Sequence, residues 1–185
     1  MKKSQKLITG PTYLTILRII LAIIFLIFIL IAESRARFLA LIIFIIAAIT
    51  DKIDGAWARK KNLVTDLGAF LDPLADKMLV NLAFLALVYL NVVPLWIFAV
   101  ILVRDFAVDG LRMSFAKKNI TIAASSLGKA KTTFQMTALA ILILSLIVVS
   151  EPLIILGNIL LDLALILTII SGADYLIKGC KKLTK

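Results

Sequence analysis

The sequence predicts an all-α fold: a polytopic membrane protein built as a six-transmembrane-helix bundle, with both termini cytoplasmic. Three observations carry this expectation. The 185 residues are 62% hydrophobic, with a mean hydropathy of +1.09, which is more apolar sequence than a soluble domain of this size needs. Apolar runs of about 20 residues, the length that spans a bilayer, recur six times along the chain. Short polar breaks carrying turn or helix-start chemistry separate them.

The first segment, Thr12 to Ala32, follows the basic stretch Met1-Lys-Lys-Ser-Gln-Lys6. That arrangement mimics a secretory signal, but the run from Ile19 to Ala32 continues without a small-residue cleavage site, so it reads as a retained helix. Glu33-Ser-Arg35 opens the second segment, Phe38 to Arg59, and Lys60-Lys-Asn62 the third, Thr65 to Leu90. Pro73 lies inside the third, where it either frees a carbonyl for a site or bends the helix for packing. Asn91-Val-Val-Pro94 leads into the fourth, Pro94 to Phe115, and Lys117-Lys-Asn119 precedes the fifth, Leu127 to Val149. Ser150-Glu-Pro152 starts the sixth, Pro152 to Ile177. Gaps this short predict an up-and-down bundle and one domain over residues 1–185.

Lysine and arginine set the orientation. With six spans both termini share a side, and fifteen basic residues fall there against two, Arg35 and Arg37, on the other. The basic side is therefore expected to be cytoplasmic, in the cell membrane. Arg18, Lys52, Lys77 and Arg104 fall inside spans and need partners or a polar cavity. Tyr175, near the cytoplasmic boundary, reads as an interfacial belt residue.

The net charge of +10 in so apolar a chain points to anionic lipid head groups or phosphorylated substrates, and no motif favours nucleic acid. The single cysteine, Cys180, excludes an intramolecular disulfide and reads as an incidental thiol. With no histidine in the chain, a general base falls to a carboxylate, lysine, tyrosine or that cysteine.

Carboxylates stand where a bilayer disfavours them: Asp51 and Asp54 in the second segment, Asp72 and Asp76 in the third. Offsets of three, four, seven and eight share a helix face. Asp51, Asp54, Gly55 and Ala58 fit that rule, as do Gly68, Asp72 and Asp76. Two antiparallel helices joined by a short turn could bring all four carboxylates together near the cytoplasmic side. Four close anions repel unless cations neutralise them, and oxygen-only ligands favour Mg²⁺ or Mn²⁺. Two such ions suit phosphoryl transfer. Gly55, Ala58 and Gly68 read either as helix-packing positions or as room for a ligand, and Arg59 as a diphosphate contact or a membrane anchor. Arg104, Asp105, Asp109 and Arg112 lie along one broad helix face, with Lys129 and Lys131 opening the fifth segment. They form either a structural ion-pair network or an anion pocket beside the metal site.

The pattern D-x2-D-G-x2-A-R-x8-G-x3-D-x3-D, complete here from Asp51 to Asp76, resembles the signature of the CDP-alcohol phosphotransferase family. Leu14–Arg18, Arg104–Arg112 and Ala124–Gln135 resemble the branch of that family that uses glycerol 3-phosphate. The resemblance implies a six-helix membrane enzyme that converts CDP-diacylglycerol and glycerol 3-phosphate to phosphatidylglycerophosphate and CMP. It implies Asp51, Asp54, Asp72 and Asp76 as ligands of two Mg²⁺ or Mn²⁺ ions, with Asp76 also the catalytic base. It places Asp54, Gly55, Ala58, Arg59 and Gly68 around the CDP group. Arg104, Arg112, Lys129, Lys131 and Arg18 are its candidates for the glycerol phosphate. It further implies membrane lipids as partners and a homodimer.

Other readings stay open on the residues alone. Another enzyme of the family, making cardiolipin, phosphatidylinositol phosphate or phosphatidylserine, would share the same signature. A divalent-cation transporter would need a polar path to the far side, whereas Ile20–Leu30 and Leu82–Leu90 are almost wholly apolar. A non-catalytic lipid-binding scaffold would not need the eight-residue pattern.

Overall fold

The computed structural model describes residues 10–61, 66–117 and 126–183, with side chains described for 16–50, 77–115 and 127–179. Among the described residues the chain forms six α-helices and no strand: α1 (Gly10–Leu30), α2 (Ser34–Lys61), α3 (Asp66–Tyr89), α4 (Leu95–Lys117), α5 (Ser126–Val148) and α6 (Glu151–Leu183). Each falls on a predicted segment. The largest departure is α6, which continues past Ile177. Lys178 reaches back one turn to Asp174 (2.7 Å), and such an i,i+4 pair supports helix beyond the end of the apolar run.

The helix ends follow from local chemistry. The Glu33 carbonyl accepts from Arg37 N (3.1 Å) at the start of α2, and the Ser150 carbonyl from Ile154 N (3.2 Å) at the start of α6. Pro94 directly precedes α4, where its missing N–H costs nothing. The α3–α4 turn places Asn91 at φ 57°, a left-handed conformation that asparagine tolerates. The α5–α6 turn places Val149 at φ 51°, where a β-branched residue is strained. Val149→Gly is therefore expected to stabilise the protein by about 1 kcal/mol, raising its thermal midpoint in detergent by about 2–4 °C. An unchanged or lowered midpoint contradicts the strain.

The contacts divide the chain into two compact units: Met1–Leu90 with Leu146–Val149, and Asn91–Ser145 with Ser150–Lys185. In the first, α1 packs along both α2 and α3. Ala22, Phe25 and Ile29 of α1 are fully buried, as are Ala40 and Ala47 of α2 and Ala83, Phe84 and Leu87 of α3. Their three- and four-residue spacing puts one face of each helix inside. The Phe25 and Phe44 rings meet at 5.6 Å, tilted by 45°, and the neighbouring alanines on α2 allow that close approach. Arg37 Nη1 donates to the Leu146 carbonyl (3.3 Å), satisfying one of the carbonyls left open at the end of α5.

In the second unit α4 packs against α6, around Val108, Leu111, Phe115 and Tyr175. Tyr175 is only 6% exposed. The belt position expected of it is not what the structure shows, because its ring fills the α4–α6 contact, 6.5 Å from that of Phe115. Between α5 and α6, a Cβ at Gly157 would fall 2.6 Å from Leu142 Cδ2, so the glycine sets how closely the side chain of one helix meets the backbone of the other.

The buried stripe of α6 mixes small and hydroxylated residues, Gly157, Ala164, Thr168, Ser171 and Gly172, with the larger Leu161, Leu165 and Tyr175, whereas Ile155, Ile159, Ile166 and Ile170 are exposed. Thr168 and Ser171 stay satisfied by donating to the Ala164 and Leu167 carbonyls (both 2.6 Å). Helices that associate in lipid do so through small and hydroxylated residues, and α5 and α6 supply stretches, Leu127–Val148 and Glu151–Gly179, long and apolar enough to cross a bilayer. By length and composition these two stretches suit a membrane protein.

Candidate functional site

The aspartate pattern is divided between two helices of the first unit. Asp51, Asp54, Gly55, Ala58 and Arg59 lie on α2, and Gly68, Asp72 and Asp76 on α3. The helical backbone continues through each group, including Pro73, so the three- and four-residue spacings apply as helical spacings. The side chains of all eight lie outside the described residues, as does any contact between them. Among the described residues no group of three or more metal-ligating side chains occurs. The chemistry of the donor set remains the test of fit: four carboxylates, two per helix, are hard oxygen ligands of the kind that Mg²⁺ and Mn²⁺ take.

Three neighbouring residues are described, among them Lys77, which directly follows Asp76 and has an interaction partner. Thr50, directly before Asp51, donates to the Ile46 carbonyl (2.7 Å) and so stays tied into α2. Arg18 is buried, at 7% exposure, on α1, the helix that packs against both α2 and α3. A buried guanidinium is retained only with partners, and Arg18 has them.

The other phosphate candidates belong to the second unit, where the structure joins some and separates others. Asp105 on α4 receives the Lys131 ammonium from α5 on both carboxylate oxygens, at 2.5 and 2.7 Å. It also receives Arg104 Nη1 at 3.1 Å. Arg104 Nη2 donates to Ser171 Oγ on α6 at 2.7 Å. Three helices thus meet in one charged cluster. The Lys131 side chain is 5% accessible, and those of Arg104 and Asp105 are 19% and 21%. Two cations share one carboxylate. Removing a single partner from so buried a set is costly, of order 3–5 kcal/mol.

Arg112 lies elsewhere on α4. It is exposed, with its guanidinium carbon 5.4 Å from the centre of the Tyr175 ring, a cation–π contact that steadies the charge without using up its hydrogen-bond donors. Lys129 is exposed near the start of α5. Of the alternatives left by the sequence, the described contacts show an ion-pair network: Arg104, part-buried, and Lys131, buried, are both paired with Asp105, whereas Arg112 and Lys129 are exposed.

Sequence reasoning did not place Ser171 and Gly172 in this cluster, nor Tyr175 beneath Arg112. Ser171 lies 67 positions from Arg104, so no local spacing connects them. A serine–glycine pair in an otherwise apolar run reads as helix packing, and a tyrosine near a basic tail reads as a membrane-interface residue. Gly172 leaves space for the arginine stem: a Cβ there would lie 3.0 Å from Arg104 Nε and 3.1 Å from its Cγ.

Comparison with known proteins agrees with the aspartate pattern. Residues 8–170 match the family model for CDP-alcohol phosphatidyltransferase. The chain is 44% identical over 145 residues to the CDP-diacylglycerol–glycerol-3-phosphate 3-phosphatidyltransferase of Bacillus subtilis, covering 77% of this chain and 74% of that protein. It is 43% identical over 176 residues to the protein of the same name from Rickettsia felis, covering 93% and 95%. It is 36% identical over 171 residues to a probable phosphatidylglycerophosphate synthase of Mycobacterium tuberculosis, covering 91% and 80%. A family match over most of the chain, and relatives covering most of both lengths, lead to one conclusion: the chain belongs to the CDP-alcohol phosphatidyltransferase family.

Proposed function

We propose that this chain is the enzyme that transfers the phosphatidyl group of CDP-diacylglycerol to glycerol 3-phosphate, giving phosphatidylglycerophosphate and CMP in phospholipid biosynthesis. The observation that carries this reading is the set of relatives, 42–44% identical, that bear the name of this activity. The complete eight-residue pattern from Asp51 to Asp76 supports it.

In the proposed mechanism Asp51, Asp54, Asp72 and Asp76 hold two Mg²⁺ or Mn²⁺ ions. When bound, the ions neutralise charge on the diphosphate and so supply electrostatic stabilisation. Gly55, Ala58 and Gly68 leave room for the CDP group, with Asp54 and Arg59 contacting it. Asp76 accepts the proton of the acceptor hydroxyl. The hydroxyl oxygen bonds to the phosphorus that carries the diacylglycerol, the bond from that phosphorus to the CMP oxygen breaks, and CMP leaves without a covalent enzyme intermediate. Arg104, Arg112, Lys129, Lys131 and Arg18 are the candidates for binding the acceptor's phosphate, and holding it orients the hydroxyl for attack.

The same reading makes the chain a single domain of six spans in the cell membrane. Both termini and the active site face the cytoplasm, supported by the excess of lysine and arginine on one side. Assembly as a homodimer is part of the reading and rests on the family resemblance.

The test is CMP release from CDP-diacylglycerol by the purified protein, with the acceptor varied. Glycerol 3-phosphate is expected to be preferred over inositol phosphate, serine and phosphatidylglycerol, and preference for any of those three overturns the assignment. Within that assay Arg112→Ala is expected to raise the KM for glycerol 3-phosphate on the order of tenfold to a hundredfold, the weight of a charge-assisted hydrogen bond. The KM for CDP-diacylglycerol should move far less. Equal effects on both substrates would assign Arg112 to the fold through its seat on Tyr175.

A further inference from the structure

We propose that Ser171 and Gly172 of α6 are positioning residues for the acceptor phosphate: they seat Arg104 and, through Asp105, fix Lys131 beside it as a preassembled two-cation site. The inference rests on the reading of Arg104 and Lys131 as phosphate-binding groups, and it extends the site to a helix that carries none of the motif residues.

The geometry supports it at each link. Ser171 Oγ donates its own hydrogen to the Leu167 carbonyl at 2.6 Å, so toward Arg104 Nη2, at 2.7 Å, it acts as an acceptor in a fixed direction. Asp105 takes Nη1 of the same guanidinium at 3.1 Å, so two groups on different helices fix the plane of the fork. Gly172 closes the third side, with space for the arginine stem only because it lacks a Cβ. A methyl group there would push the stem by a few tenths of an ångström, against two hydrogen bonds that resist it. The Arg104 Nε atom is buried and has no hydrogen-bond partner among the described residues, as is also true of Arg18 Nε and Arg37 Nε. Asp105 meanwhile holds Lys131 by both oxygens, so a displaced arginine alters the charge balance around the lysine. Two cations held in place by the protein bind a phosphomonoester without first being ordered, and small errors of placement weaken such a site strongly.

Full-length protein in detergent, assayed by CMP release with glycerol 3-phosphate as the varied acceptor, tests the proposal. Ser171→Ala and Gly172→Ala are each expected to raise the KM for glycerol 3-phosphate by about tenfold or more, with less than about a twofold change in the KM for CDP-diacylglycerol. Ser171→Thr, which keeps the hydroxyl, should restore the KM. The split between substrates, with the acceptor KM raised and the KM for CDP-diacylglycerol nearly unmoved, is what a purely structural role does not produce. Unchanged acceptor KM values in both alanine variants, or parallel changes for both substrates with a lowered midpoint, overturn the positioning role. Arg104→Gln separates this failure from failure of the underlying reading. If it leaves the acceptor KM unmoved, Arg104 is not a phosphate ligand and the proposal falls with it. If it raises that KM while Ser171→Ala and Gly172→Ala do not, only the seat is wrong.

Discussion

Asp76→Asn is expected to lower the rate of CMP release roughly a hundredfold or more, the range for loss of a general base. The chain has no histidine, so proton transfer falls to the few other groups near the reacting centre. Asp76 is the last carboxylate of the pattern, one helical turn beyond Asp72 on α3. Asparagine preserves the shape and an oxygen but has no basicity at neutral pH, so binding of CDP-diacylglycerol should largely persist while turnover collapses. Asp51→Asn should behave differently, weakening metal and nucleotide binding together. Metal titration and nucleotide binding on the two variants separate the roles. Should Asp76→Asn lose metal as severely as Asp51→Asn, Asp76 is chiefly a ligand and the base lies elsewhere.

Removal of divalent metal is expected to abolish activity altogether, with recovery on adding Mg²⁺ or Mn²⁺. Four carboxylates in helices this apolar repel one another without counter-charge, and the diphosphate brings further negative charge to the same place. Calcium offers a sharper probe, because its longer bonds and looser geometry should let it occupy the site with weak or no turnover. Full turnover in metal-free buffer with chelator present would remove the metal from the mechanism. It would leave the aspartates needing another source of neutralisation, for which Lys52, Arg59 and Lys77 are the nearest basic residues in sequence.

The helices were legible because their signals are local. A run of apolar residues bounded by Ser-Glu-Pro or Asn-Val-Val-Pro specifies where a helix stops and starts without reference to the rest of the chain. The end of α6 was less so, because the Asp174–Lys178 pair is polar sequence that prolongs a helix beyond its apolar signal. The aspartate pattern was legible for the same reason as the helices: its spacings are helical spacings. What sequence could not supply was pairing at a distance. Arg104 and Asp105 on α4 meet Lys131 on α5 and Ser171 on α6, and separations of 26 and 67 residues leave no periodic trace. Tyr175 shows the same limit. Its type and position fit a membrane interface, but helix packing buried it.

The exposed isoleucines and the small buried residues of α6 bear on how the protein would respond to random mutagenesis. In a water-soluble enzyme a saturation library tolerates change on the outer positions of a helix and punishes it inside. On α6 the outer isoleucines should exchange freely among Leu, Val, Phe and Met yet reject Asp, Lys and Arg, because a charge there is screened out during insertion into the bilayer before folding begins. The inner positions should show the opposite rule: Gly157 should refuse even alanine, while Thr168 accepts serine. Any method that takes greasiness as a sign of the interior would read Leu161 and Leu165 correctly, but it would mark the replaceable isoleucines of this helix as essential and pass over Gly157 and Gly172.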